Sequence, residues 1–258
     1  MGGEIDRQPD RRRDRMKAFA KRYMTVPLAI RTSDLQRRAA SAAVMMAAAL
    51  GALWLGGLVL DLFIIAVAAA TYFEFARLIL RIEMGALARV FGWLAGAAYI
   101  VAAAYVLVSA ASREAIVLIV GCVVFVDTFA YGFGRTFGGP KIAPKISPSK
   151  TWAGLGGGVV GATTALVLFL LFSEYGSTVT YRPPLEWALL VVPGAMIAVL
   201  AQAGDFFESW LKRKAKMKDS SNLIPGHGGV FDRTDGILPV AIFFGAVFST
   251  LAPHWIDL

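Results

Sequence analysis

The sequence predicts an all-α, polytopic integral membrane protein, a bundle of about seven transmembrane helices within a range of six to nine. Three observations carry that expectation. The mean hydropathy is +0.61, with 57% hydrophobic and only 17% charged residues, where soluble domains carry about 25% charge. A globule of 258 residues has too small a core to hide that much apolar surface. Apolar stretches of about 20 residues recur, the length of a helix that crosses about 30 Å of hydrocarbon. Basic residues collect in alternate connections, as the positive-inside bias requires. Barrel strands are excluded because the run AIVLIVGCVVFV, residues 115–126, shows no apolar–polar alternation. Backbone in hydrocarbon must then satisfy its own hydrogen bonds as helix. Disorder is excluded by the same apolar content, and a disulfide scaffold by the single cysteine, Cys122, which reads as packing.

Taken in order, residues 1–38 form a basic arm with eleven Lys/Arg against five Asp/Glu. The arm is too long for the n-region of a signal peptide, and the apolar stretch after it exceeds an h-region. It reads as a cytoplasmic segment that orients the chain, its RRRDR cluster suited to anionic lipid headgroups. A transmembrane catalytic domain follows over 39–258. Its expected spans are Ala39–Leu58, Leu62–Leu80, Val90–Ala110, Ala115–Phe133, Trp152–Phe172, Leu185–Gly204 and Gly236–Trp255. Gly56, Gly57 and Asp61 break the first two into a tight hairpin. Seven spans with the N-terminus in the cytoplasm place every basic segment on that side: the arm, Arg77–Arg89, Arg135–Lys150 and Lys212–Arg233. The C-terminus then lies outside. Within the second span, Glu74 either pairs with Arg77 one turn on or faces the functional site. Gly156–Gly158 and Gly161 in the fifth span permit close helix packing, and the same face suits a homodimer contact.

Two loops, near 134–151 and 205–235, are too patterned to be connectors. The first follows Asp127 and supplies Arg135, Lys141, Lys145 and Lys150 with no acid among them. Its glycines let backbone approach a ligand closely, prolines at 140, 144 and 148 stiffen it, and Ser147 and Ser149 add hydroxyls beside Lys150. Fixed donors with concentrated positive charge suit a di- or triphosphate. In the second loop Asp205, Asp219, Asp232 and Asp235 alternate with Lys212, Arg213, Lys218 and Arg233, and PGHGG places His227 in a flexible turn. An ionised Asp205 at the end of a span is costly unless paired or metal-bound. Asp205 and Glu208 share a helical face, as do Asp232 and Asp235. Carboxylates beside Lys/Arg with no Cys/His cluster suit a hard cation such as Mg²⁺ carried with substrate phosphates, rather than zinc. His227 reads as a phosphate donor or a positioning residue.

The segment from Ser209 to Asp235, SWLKRKAKMKDSSNLIPGHGGVFDRTD, resembles the signature of the CDP-diacylglycerol synthase (phosphatidate cytidylyltransferase) family. Asp127-Thr128, Ala130-Tyr131, Gly134-Arg135, Phe137-Gly138 and Ser147-Pro148-Ser149-Lys150-Thr151 resemble that family's other cytoplasmic motif. Two departures are visible: Ala153 stands where the family usually has Glu, and Ser221 where Gly is common. The resemblance implies condensation of CTP with phosphatidic acid to CDP-diacylglycerol and pyrophosphate, with Mg²⁺ required. On that basis Asp205 and Asp232 are the expected metal ligands, with Asp219 and Asp235 in support. Lys212, Arg213, Lys218 and Arg233 hold phosphates, as do Lys150, Ser147 and Ser149 from the first loop, and Arg135 anchors the lipid headgroup. The expected partners are CTP, phosphatidic acid and the bilayer of the cell's inner membrane, with no nucleic acid. A CTP-dependent polyprenol or phytol kinase and an anion-recognising transporter are the alternatives. Transport predicts repeated halves or helices broken at mid-depth, and neither is evident.

Overall fold

The computed structural model describes residues 28–110, 112–172 and 184–251. Among these residues the chain is built of α1 (Leu28–Leu55), α2 (Gly57–Arg81), α3 (Ala86–Ser109), α4 (Arg113–Phe137), β1 (Lys141–Ala143), β2 (Ser147–Thr151), α5 (Trp152–Phe172), α6 (Pro184–Leu189), α7 (Val191–Lys214), α8 (Phe231–Thr234) and α9 (Ile237–Leu251). Six helices are long and apolar enough to cross a membrane: α1 to α5, and α6 running with α7 from Trp187 to Lys214. The seventh expected span corresponds to α9, apolar but shorter, and its last expected residues, with most of the arm, lie outside the described residues. The chain is a multi-pass membrane helix bundle. Its outward surface agrees with that solvent: Trp54 is 79% and Phe172 84% exposed, positions that acyl chains rather than water would cover.

The structure departs from the expected boundaries in three places. Residues 28–38, assigned to the arm, are already helical and continue into the first span. Asp61 lies inside α2 rather than in the turn, which Gly56 and Gly57 make at φ 64° and 50°. Arg113 closes that turn from α4, donating to the carbonyls of Trp54 (2.9 Å) and Leu55 (3.3 Å), the last carbonyls of α1 that have no helical partner. The sixth span runs ten residues past Gly204, to Lys214. That extension is amphipathic: Asp205, Glu208 and Lys212 fall on one face, Phe207, Trp210 and Leu211 on another.

Two devices position the polar end of the bundle. The first is the close approach of α4 and α5, where Gly154, Gly157 and Gly161 form a stripe of small residues. A Cβ on Gly157 would lie 2.6 Å from the Phe129 carbonyl oxygen, and one on Gly161 2.4 Å from that of Phe125. Of the glycines expected to serve packing or a dimer, Gly157, Gly158 and Gly161 pack within the chain, while a Cβ on Gly156 would meet nothing within 4 Å. Gly161→Val should cost about 1–3 kcal/mol through overpacking. Thermal unfolding in detergent will show a lowered midpoint, and an unchanged one would contradict the backbone contact.

The second device is the β1–β2 hairpin. Gly138, at φ 62°, ends α4 by donating its N–H to the Gly134 carbonyl (3.1 Å). The chain then turns back, with Lys141 opposite Thr151 and Ala143 opposite Ser147. Thr151 begins α5 as its N-cap, its hydroxyl oxygen accepting from Gly154 N–H at 3.0 Å. Lys150 is thus held against the junction of α4 and α5.

Candidate active site

Helix α7 supplies the floor of a charged cleft of about 450 Å³. Asp205, Glu208 and Lys212 recur at helical spacing on its inner face. Asp127 enters from α4, Lys150 from β2, and Asp219, His227, Asp232, Arg233 and Asp235 from the connection between α7 and α9. Nine of the residues singled out in the sequence therefore line one space, and Glu208 and Ser209 join them. A larger cavity of about 720 Å³ lies against the other face of α7, but its walls, including Phe75, Tyr99, Phe207 and Trp210, are mostly apolar.

The two loops meet directly. Lys150 Nζ pairs with Asp205 Oδ2. Lys212 Nζ lies 2.6 Å from both Glu208 Oε2 and Asp232 Oδ1. Burial pulls the Lys150 ammonium down, but Asp205, Asp127 and Asp235 outweigh it and hold the group above the ordinary lysine range. Asp232 shows the same contest with opposite sign. Burial pushes its carboxyl up, while hydrogen bonds shared with Glu208, Lys212, Gly229 and Ser220 bring it well below the usual range. Its Oδ2 accepts from Gly229 N (2.7 Å) and Ser220 N (3.0 Å), and lies 2.8 Å from Ser220 Oγ, whose single proton it shares with Glu74. Asp235 has no such set of donors. Burial, then the Asp205 carboxylate beside it, pushes it up to about 8.

That shift has a measurable consequence. In the cation-free protein Asp235 keeps its proton to about pH 8, whereas the unfolded chain gives it up near 4. The folded state binds the extra proton between those values, so stability falls as pH rises through that window. Thermal midpoints measured with chelator present should decline from pH 5 to pH 8 in the wild type and less steeply in Asp235→Asn. Parallel slopes would contradict the assignment.

Five sequence-selected residues stand apart from the cleft lining. Arg135 is exposed and turned to its own helix, Nη1 donating to Tyr131 Oη at 2.6 Å with its guanidinium 5.9 Å from the ring centre. Ser147 and Ser149 lie along β2. Arg213 reaches the hairpin turn, Nε to the Ile146 carbonyl at 3.5 Å, and ties α7 to the first loop. Lys218 is exposed nearby, and Asp219 is exposed at the rim against Gly228.

The residue whose role the sequence left open is Glu74. It is 1% exposed, and its carboxylate goes to the second loop rather than to Arg77. Ser220 Oγ (2.8 Å) and Phe231 N (2.8 Å) donate to Oε2, while Val230 N (3.1 Å) and Ser221 Oγ donate to Oε1. Ser221, where the family commonly has Gly, thus supplies one of the donors. Ser220 touches both Glu74 and Asp232, so the buried acid of α2 sets the shape of the loop that carries the cleft's own acid. An intramembrane carboxylate was the available signal; its partner lay too far along the chain to be read from spacing.

Among the described residues no three acids or histidines stand close enough to hold a metal ion on their own, so a hard divalent cation would enter together with substrate phosphates. The acids in reach offer oxygen donors, the Asp205 and Asp127 carboxylates push Asp235 up, and Glu208 Oε1 is buried without a hydrogen-bond partner among the described residues.

The model of the cytidylyltransferase family matches residues 80–251. Fold and cleft together then define an integral membrane nucleotidyltransferase. The phosphatidate cytidylyltransferase of Brucella melitensis biotype 1 is 31% identical over 268 positions, covering 84% of this chain and 95% of the relative. Those of Rickettsia typhi and Rickettsia bellii are 42% and 39% identical over 136 and 143 positions, covering 52% of this chain and 59% and 58% of the relatives. The chain belongs to the cytidylyltransferase family.

Proposed function

We propose that this enzyme condenses CTP with phosphatidic acid, releasing pyrophosphate and leaving CDP-diacylglycerol in the bilayer. The observation that carries the assignment is the Lys150–Asp205 pair, which joins the two phosphate-suited loops in one cleft at the end of the spanning helices. An oxygen of the lipid phosphomonoester attacks the α-phosphorus of the nucleotide, and the bond to the bridging oxygen of the pyrophosphate breaks. Little covalent work falls to side chains, so positioning and charge neutralisation dominate. Lys150, Lys212 and Arg233 hold phosphates that would otherwise repel across less than a Debye length of about 8 Å. Arg213 and Lys218, outside the cleft lining, add to the positive potential around the loops that border it.

Asp205, Asp232 and Asp235 would hold Mg²⁺, with Asp127 and Asp219 nearby. The cation would supply charge neutralisation for the triphosphate. Asp232 comes to that task with one oxygen fixed by two backbone N–H donors, which leaves Oδ1, now on Lys212, as its outward oxygen. The bias of Lys and Arg supports a cleft and an N-terminus on the cytoplasmic side of the inner membrane, where CTP is dissolved and the acyl chains stay in lipid.

CTP labelled separately in the nucleoside and in the γ-phosphate tests the assignment. Nucleoside label entering the lipid phase with Mg²⁺ and phosphatidic acid is the expected result. Transfer of the γ-phosphate alone would make the enzyme a kinase, and transfer of neither label would refute an enzymatic role for the cleft.

A further inference from the structure

The helix that emerges from the basic arm touches the functional loop at one place. Ser41, on α1, has its hydroxyl oxygen 2.8 Å from the Pro225 carbonyl, 3.0 Å from the Arg38 carbonyl and 2.8 Å from His227 Nδ1. The contact is built on both sides. The turn that presents His227 is closed by Ile224 N to the Gly228 carbonyl (2.9 Å) and His227 N to the Ile224 carbonyl (3.0 Å). Glycines at φ 77° and 83° flank the imidazole, a region that disfavours other residues. A Cβ on Gly226 would lie 2.6 Å from Arg38 Cγ, so α1 sits directly on the turn. Elsewhere α1 buries little of itself.

The hydroxyl carries one proton and the two carbonyls carry none. If Ser41 gave its proton to the imidazole, both carbonyl contacts would be empty. The proton goes to a carbonyl, and the ring supplies the proton of the third contact from Nδ1. The neutral imidazole then has its lone pair on Nε2, the nitrogen left for the cleft that His227 lines. Arg233 holds the same residue from the other side, Nη2 to the His227 carbonyl at 2.8 Å.

We propose that Ser41 is a positioning residue that fixes the tautomer of His227, so that Nε2 takes the last proton of the attacking lipid phosphate. The role rests on the reaction proposed above. A phosphomonoester gives up its second proton near pH 6, so part of the lipid arrives with that proton still on the attacking group. A base beside the attacking oxygen takes that proton as the bond forms. The proton moves from the phosphate oxygen to Nε2. The electron pair it leaves forms the bond to the α-phosphorus, and the bond to the bridging oxygen breaks with its pair on the departing pyrophosphate. The first transmembrane helix is thereby part of the catalytic apparatus.

The test uses the full chain in lipid or detergent with Mg²⁺, CTP and phosphatidic acid, and the variants Ser41→Ala, Ser41→Thr and His227→Gln. His227→Gln should lower kcat about 10²-fold, the scale of a lost general base. Ser41→Ala should lower kcat about tenfold with KM for CTP within about twofold, Ser41→Thr should restore it, and Ser41→Ala should add no loss in the His227→Gln background. A wild-type rate in Ser41→Ala, no rescue by threonine, or losses that multiply with His227→Gln would each overturn the proposal. A wild-type chain that transfers no nucleoside label would instead sink the reaction assignment, and this role with it.

Discussion

Asp205→Asn lowers transfer of the cytidylyl group by about 10³-fold or more while the protein remains folded. The magnitude follows from removing a pre-positioned charge at the reacting phosphates, an effect of about 10²–10³ for a single electrostatic contact. Here one change also takes the partner of Lys150 and a candidate cation ligand. Stability should be little affected: Asp205 is only partly buried, Asp127 and Asp235 remain beside Lys150, and losing Asp205 relieves the like charge that pushes Asp235 up. Nucleoside label recovered in the lipid phase, beside an unchanged elution profile, checks both halves. Activity within tenfold of wild type would remove Asp205 from the reaction. Asp232→Asn should also silence the enzyme, but with a lower thermal midpoint. An amide nitrogen in place of Oδ2 would face the Gly229 and Ser220 donors, or else leave them unpaired.

Glu74→Ala destabilises the protein by about 3–5 kcal/mol, the cost of breaking a buried charged network, and activity falls with it. Four donors converge on this carboxylate from residues 220–231, and their alternative in a dry bundle is no partner at all. Glu74→Gln keeps the shape but sets one N–H₂ group against N–H and O–H donors, for about 1–3 kcal/mol. The decisive comparison is with Asp205→Asn. Thermal midpoint and turnover should fall together in both Glu74 variants, whereas Asp205→Asn should lose turnover alone. A Glu74→Ala protein with the wild-type midpoint would mean that the loop holds its shape without this acid.

The bundle and most of its cleft were legible because hydrocarbon leaves so few choices. Span length and the bias of basic residues located α2 to α5 to within a few residues, and the signature segment with the acid just before it marked Asp205, Lys212, Asp232 and Asp235 as one group. What stayed hidden was non-local or mixed in character. The extension of α7 to Lys214 is amphipathic, so hydropathy ended the span at Gly204 although the helix continues. The β1–β2 hairpin is short and proline-rich and shows no alternation to betray it. Glu74 and Ser41 meet the loop across 146 and 186 positions of sequence, distances over which no periodicity speaks. Arg135 illustrates the converse: a motif residue whose side chain the structure turns onto Tyr131.

Everything proposed for the enzyme requires that the hairpin and the α7–α9 connection border one nucleotide site on one side of the membrane. Single cysteines at Ser149, exposed on β2, and Ser209, on the cleft wall, measure that directly, since the native Cys122 is buried. In oriented vesicles an impermeant maleimide should modify both cysteines from the same face, and CTP with Mg²⁺ should slow both reactions. Modification from opposite faces, or protection of one position with the other untouched, would separate the two loops and leave the cleft without its chemistry.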